Sequence, residues 1–438
     1  MEIIKKTIDQ PSTKKGVPNH AKIMNIPYQS PKQIESIIRR KIVGQDEGVR
    51  AVATAISSHL MRIHHNQENP DMPMYKNNLL IIGPTGCGKT ESIETAIKDS
   101  GLPIPVVVIN ASMLTSSGYK GKNTEDIMQD LFLAAARIYS KDPLKYLDIQ
   151  VDWDNDKKKN EVEKAIVQIA NKGIIILDEI DKIRIDRSRR REDNLFPEFC
   201  QRQLLKMIEG GTNFGSESPY NLIDTKDILF ICAGAHIGLE ETIQERLYPS
   251  RKQKPAIGFR FQTKTENKKI HTDLTPTTED LIAYGYIHEL VGRLPIRCKY
   301  NELSTDILYR ILTESKLSAT NESIMTLAKT GTKLEYTDGA LRAIADKAYK
   351  EHTGARGLRT IVCEITNKLL YEQSGKCGAR YTITAQNIRE NTIPVPTGNS
   401  VDVEPDVRNL NEVKRRLNDS SQQHESKTLK ERKQQKKD

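Results

Sequence analysis

The sequence predicts an α/β fold: a large domain on a parallel sheet flanked by helices, then a smaller, mostly helical C-terminal domain. Three observations carry this expectation. Short apolar runs alternate with helical periodicity: Asn78–Gly83 (NLLIIG), Pro105–Asn110 (PVVVIN), Gly173–Asp178 (GIIILD) and Ile228–Cys232 (ILFIC). Such runs, apolar throughout their interior, suit strands covered on both faces by crossover helices. The first run leads into a glycine-rich turn and a helix. Beyond Pro295 the texture turns helical, with DGALRAIADKAYKEH and GLRTIVCEITNKLLYEQ over roughly 304–374.

Each element has a local cause. Residues 1–30 are polar and proline-bearing, and read as a flexible arm. Ser30 and Pro31 fit the N-cap and first position of a helix. Val49, Val52, Ala53, Ile56 and Leu60 recur at helical spacing between Asp46 and Ile63. Further helices are expected over Thr124–Tyr139 and Phe199–Glu209. An insert at about 141–171, with Trp153 and Lys157, Lys158 and Lys159, reads as a solvent-facing helix. A short strand pair is expected near Lys333–Tyr336 and Arg380–Thr384. The expected organisation is an arm at 1–30, a large domain at 31–300, a small domain at 301–393 and a disordered charged tail at 394–438.

Gly83-Pro84-Thr85-Gly86-Cys87-Gly88-Lys89-Thr90 fits the pattern G-x-x-x-x-G-K-[ST] between a predicted strand and a predicted helix. Glycines let successive N–H groups turn toward phosphate oxygens, and the helix N-terminus favours an anion. Lys89 is the candidate for the β- and γ-phosphates, and the Thr90 hydroxyl for Mg²⁺. The run ending at Asp178 and Glu179 delivers two carboxylates to the edge of the sheet where a phosphate would lie. Asp178 is the candidate to hold Mg²⁺ through water. Glu179 is the candidate to orient and deprotonate the attacking water. ATP and Mg²⁺ are therefore the expected ligands.

Composition excludes several classes. Cys87, Cys200, Cys232, Cys298, Cys363 and Cys377 form no Cys-x-x-Cys pair, so neither a zinc site nor a disulfide framework is expected. No apolar run approaches membrane-spanning length and no signal peptide stands at the start, so a cytoplasmic location and no membrane partner are expected. The net charge of +9 permits nucleic-acid contact. Much of the excess lies in Arg187, Arg189, Arg190 and Arg191 and in the tail, where solvated loops are the simpler reading. With no helix-turn-helix, zinc finger or aromatic stacking stripe, nucleic acid is not an expected partner.

The segments GPTGCGKT, IILDEIDKI, LLKMIEG, DLIAYGYIHELVGRLP and HTGARGLRTIV, in this order, resemble the ClpX family of AAA+ unfoldases in the Clp/Hsp100 group. The resemblance covers roughly residues 31–375. The long stretch between Ile231 and Gly292 and the Gly-Ala-Arg-Gly-Leu-Arg at 354–359 favour ClpX over HslU. It implies a P-loop AAA+ large domain with an AAA+ small domain. It also implies a homo-oligomeric, hexameric ring that hydrolyses ATP to thread protein substrates into a ClpP-like peptidase.

Residue by residue, Ile42 and Val43 resemble adenine-pocket residues, Arg293 an arginine finger acting on the neighbouring subunit, and Arg356 a sensor-2 arginine. Gly118-Tyr119-Lys120-Gly121 resembles the substrate-gripping pore loop, with Lys120 where valine is usual. Ile257-Gly258-Phe259 resembles the peptidase-docking loop. No counterpart of the family's N-terminal zinc-binding domain is expected, and TNFGSESPYN stands where the resemblance implies a pore-entrance Arg-Lys-His loop. The strand ending Cys232-Ala-Gly-Ala offers no strong polar sensor-1 side chain. Two alternatives remain open on the sequence: protein remodelling without a peptidase, and nucleic-acid remodelling.

Overall fold

The computed structural model describes residues 26–114, 124–141, 156–188, 190–211, 218–247, 275–315, 318–372 and 378–397. These form two compact units. The larger holds 26–39 and 45–301, the smaller 40–44 and 302–397. The candidate pore loop (Gly118, Tyr119, Lys120, Gly121) and docking loop (Ile257, Gly258, Phe259) lie outside the described residues, as do Trp153, Arg189, the first 25 residues and the tail from 398.

The larger unit opens with α1 (Pro31–Ile38), started by a reciprocal capping box between Ser30 and Gln33. The hydroxyl of Ser30 accepts from the Gln33 N–H, and the Gln33 side chain accepts from the Ser30 N–H, so two otherwise orphaned donors are satisfied. Next comes α2 (Asp46–Glu68), whose buried stripe includes Val49, Val52, Ala53, Ile56 and Leu60. Then follow β1 (Leu79–Ile82), α3 (Lys89–Lys98), β2 (Val106–Asn110), α4 (Thr124–Lys141), α5 (Asp156–Ala170) and β3 (Ile174–Asp178). The unit continues through α6 (Arg191–Glu209), β4 (Leu229–Gly234), α7 (Leu239–Leu247), α8 (Thr278–Tyr284), α9 (His288–Gly292) and β5 (Ile296–Lys299).

The five strands are parallel, in the order β2-β3-β4-β1-β5. All four residues of β1 and all six of β4 are buried. Each such Leu, Ile or Phe contributes about 1.5–3 kcal/mol of burial, which is why these runs carry no polar alternation. Strand β4 lies between β1 and β3, so the carboxyl ends of the phosphate-loop strand and the acidic strand flank it on one edge. In open parallel sheets that edge is where ligands bind.

Four details differ from the sequence expectation. The sheet has a fifth strand, β5, paired with β1. Its four residues (IRCK) follow Pro295 and include two cations, and only Cys298 is fully buried, so it carries no strand-like pattern. The fourth strand extends to Gly234. Helix α6 begins at Arg191, before Pro197, with Glu192 and Asp193 in its first turn to favour the N-terminus. Helix α5, within the expected solvent-facing insert, buries Val162, Ala165, Ile166, Val167, Ile169 and Ala170 and packs against α4. The lysines of its first turn masked a 3–4 residue apolar period further along.

The smaller unit contains α10 (Thr305–Glu314), α11 (Ala319–Ala328), β6 (Lys333–Tyr336), α12 (Asp338–Lys350), α13 (Ala355–Glu372), β7 (Arg380–Ile383) and α14 (Ala385–Glu390). Strands β6 and β7 pair in parallel, with Leu334, Tyr381 and Ile383 turned into the helices. Segment 40–44 joins this unit, with Gly44 against the Ile307 side chain. No described helix is long and apolar enough to cross a membrane.

Candidate nucleotide site

The glycine-rich turn leaves β1 and enters α3 through two left-handed residues, Gly86 (φ 77°) and Gly88 (φ 97°). That conformation is open to glycine and strained for other residues. Gly83 is required for a different reason: a Cβ there would stand 2.4 Å from the Tyr300 carbonyl oxygen. Tyr300 is itself buried, with its hydroxyl 2.7 Å from the Ser92 hydroxyl on α3. Gln45, which sequence reasoning missed, braces the turn from outside. Its amide donates to the Asn301 carbonyl (2.7 Å) and to the Cys87 carbonyl (3.4 Å), and accepts from the Asn301 N–H (2.8 Å).

Lys89 is the first residue of α3 and is only 8% exposed. Its ammonium donates to the carbonyls of Gly83 (2.6 Å) and Pro84 (2.8 Å) and lies 3.9 Å from the Cys87 sulfur. Among the described residues no carboxylate pairs with it. A buried cation without its own counter-charge, at a helix N-terminus lined by backbone N–H groups, fits a phosphate anion. Burial pushes the Cys87 thiol up, against the opposing pull of Lys89, so this sulfur stays protonated and unreactive.

The Thr90 hydroxyl donates to Asp178 Oδ2 at 2.7 Å, across from α3 to the end of β3. Two hard oxygens thus converge beside Lys89, a donor set that fits Mg²⁺, which keeps waters and phosphate oxygens as its other ligands. No group of three or more His, Cys, Asp or Glu suited to a metal occurs among the described residues. Glu179 follows in a left-handed conformation (φ 55°), which turns its side chain off the strand direction. Its carboxylate accepts from the Asn110 amide at 2.9 Å, at the end of the neighbouring β2. In the sequence Asn110 is only the end of an apolar run. The register that places it directly beside Asp178 is a tertiary fact.

Two residues past the end of β4 stands His236. It is 3% exposed, left-handed (φ 53°), and shares a 2.9 Å hydrogen bond through Nε2 with the Tyr286 hydroxyl. Burial lowers its pKa to about 4, so the ring is neutral near pH 7. The preceding N–H, of Ala235, donates to Asp181 Oδ1 at 3.0 Å, two residues past Glu179.

Of the remaining candidates, Arg293 lies in the larger unit and Ile42, Val43 and Arg356 in the smaller. Arg293 caps α9, half-exposed, and pairs with Glu209 at 3.0 Å; among the described residues no contact joins it to Lys89, Asp178 or Glu179. Ile42 is buried and Val43 half-buried in segment 40–44, and Arg356 is exposed in the first turn of α13.

Residues 75–297 match the AAA domain (Cdc48 subfamily). The chain belongs to the AAA family. Its residues 303–376 match the C-terminal, D2-small domain of ClpB protein. The ATP-dependent Clp protease ATP-binding subunit ClpX of Treponema denticola is 31% identical over 382 residues, which cover 84% of this chain and 83% of that protein. This AAA protein is therefore ClpX-like, and its phosphate turn and acidic strand end fall within the matched AAA domain.

Proposed function

We propose that this chain is an ATP-driven protein unfoldase and translocase, working as a hexameric ring that feeds a ClpP-like peptidase. The observation that carries the ATPase half is Lys89, buried without a carboxylate partner among the described residues, beside the Thr90–Asp178 pair and the Asn110-held Glu179. The likeness to a Clp protease ATP-binding subunit carries the unfolding half.

In this reading Lys89 exchanges two carbonyls for the β- and γ-phosphate oxygens. Mg²⁺, held by Thr90 and through water by Asp178, would offset charge on those oxygens. Asn110 keeps Glu179 aimed until a water replaces it as partner. Glu179 then takes the proton of that water as its oxygen bonds to the γ-phosphorus and the bond to the β–γ bridging oxygen breaks, which yields phosphate and ADP. Arg293 is supplied to the site of a neighbouring subunit, where its charge offsets that on the transferring phosphoryl. The roles of Ile42 and Val43 in adenine binding and of Arg356 in nucleotide sensing belong to the same proposal and rest on the ClpX likeness. So do gripping by Tyr119 and Lys120 between Gly118 and Gly121, and docking by Ile257, Gly258 and Phe259.

ATP-dependent unfolding of a tagged fluorescent protein tests the proposal. Glu179→Gln should bind ATP yet hydrolyse it about 10²–10⁴-fold more slowly. Tyr119→Ala should hydrolyse ATP without unfolding the substrate. Normal unfolding by Tyr119→Ala would overturn the threading mechanism.

A further inference from the structure

We propose that Gln201 is a positioning residue that couples a subunit's own hydrolytic turn to the Arg293 it presents to its neighbour. This rests on the trans role of Arg293 proposed above. Gln201 lies on the core face of α6, fully buried among Cys200, Leu204, Met207 and Ile208. A buried primary amide needs partners, and Gln201 uses both its donors and its acceptor. Nε2 donates to the Ile183 carbonyl (2.8 Å) and the Gly285 carbonyl (3.0 Å), and Oε1 accepts from the Ile287 N–H (2.8 Å).

Those partners belong to two functional segments. Ile183 ends the 3₁₀ turn Ile180–Ile183, which begins directly after Glu179. Gly285 and Ile287 form the turn that launches α9, and α9 ends on Arg293. The same two segments meet again through the Ile185 N–H donating to Gly285 (2.9 Å). They meet a third time through Asp181, Ala235, His236 and the Tyr286 hydroxyl.

The far end of α6 completes the connection. Glu209, its last residue, holds the Arg293 guanidinium, while the Asn78 amide donates to the Arg293 carbonyl at 2.8 Å. Gln201 and Glu209 are eight residues apart on one helix, about 12 Å. One rigid rod thus fixes both the start of α9 and the side chain at its end. A shift of the turn after Glu179, as phosphate is bound or lost, is carried through Gln201 to the base of the Arg293 helix. An apolar residue at 201 would fill the core and leave that joint loose.

Mixed assemblies test this. Gln201→Met keeps the side chain's length and removes its three hydrogen bonds. Alone, it should bind ATP with an affinity within about twofold of wild type while kcat falls about tenfold to a hundredfold. Mixed with equal amounts of Glu179→Gln, which retains an intact Arg293, it should hydrolyse faster than the sum of the two separate rates. The control is Arg293→Ala mixed with Glu179→Gln, which should show the same gain. A gain in the control but none with Gln201→Met would mean that Gln201 serves only its own site, and would overturn the inference. No gain in the control would remove the trans reading itself, and the inference with it. If Gln201→Met does not fold, judged by circular dichroism and melting, Tyr286→Phe takes its place with the same expected gain and the same overturning result.

Discussion

The two edges of the central sheet both bury cations, and they treat them in opposite ways. At the amino edge Arg62, 4% exposed, places Nη1 2.6 Å from Asp227 Oδ1, and Nη2 donates to the Asp227 carbonyl. Nη2 also donates to His59 Nδ1 at 2.9 Å, and His59 Nε2 donates to the Lys172 carbonyl at 3.0 Å. Nearby, Lys76 donates to the Thr225 carbonyl at 2.7 Å and lies 4.8 Å above the Phe230 ring, and burial lowers its pKa to about 7. At the carboxyl edge Lys89 is 8% exposed, yet among the described residues it faces only carbonyls and a thiol. Arg62, buried with its own carboxylate, holds the fold together; Lys89, which has none among the described residues and stands at a helix N-terminus, is left able to take an anion from outside.

That contrast can be broken by experiment. Asp227→Asn leaves the Arg62 guanidinium buried without a counter-charge. The Asp227 side chain is 46% exposed, so the loss should fall toward the low end for such pairs, about 2–3 kcal/mol in urea unfolding. Nucleotide affinity should be unchanged. A comparable loss of ATP binding would mean that the two edges are not separate in function.

A smaller effect sharpens the comparison, because each edge also holds a neutral histidine. Burial lowers His59 to about 3 and His236 to about 4, from an ordinary 6.5. The unfolded chain therefore binds more protons below pH 6.5. Stability is full above that value and is lost as pH falls toward 4, by up to about 1.4 kcal/mol per pH unit for each ring. His59→Gln should flatten this acid slope by one proton, measured by urea unfolding at stepped pH. An unchanged slope would show that His59 is already charged in the native state.

The fold was legible where local pattern and burial coincide. The runs that became β1, β3 and β4 are apolar because both faces are covered, while β2, at the sheet edge, leaves Val108 exposed. The Ser30 cap and the stripe of α2 are local signals that tertiary packing preserves. β5 was not legible, since at an edge only one of its four residues is deeply buried and its two cations dilute the signal. In the site, Lys89, Thr90 and Asp178 announce themselves by motif. Asn110, Gln45, Gln201 and His236 do not, because their meaning lies in partners 69, 256, 84 and 50 residues away in the chain. No periodicity reports such a contact.

The central claim is that the enclosed, carboxylate-free Lys89 is the phosphate-binding cation. Calorimetric titration of wild type and Lys89→Met with Mg·ATP, beside urea unfolding of both, tests it most directly. Lys89→Met should lose detectable ATP binding while its unfolding free energy is not lowered. ATP binding by Lys89→Met as tight as wild type would contradict it.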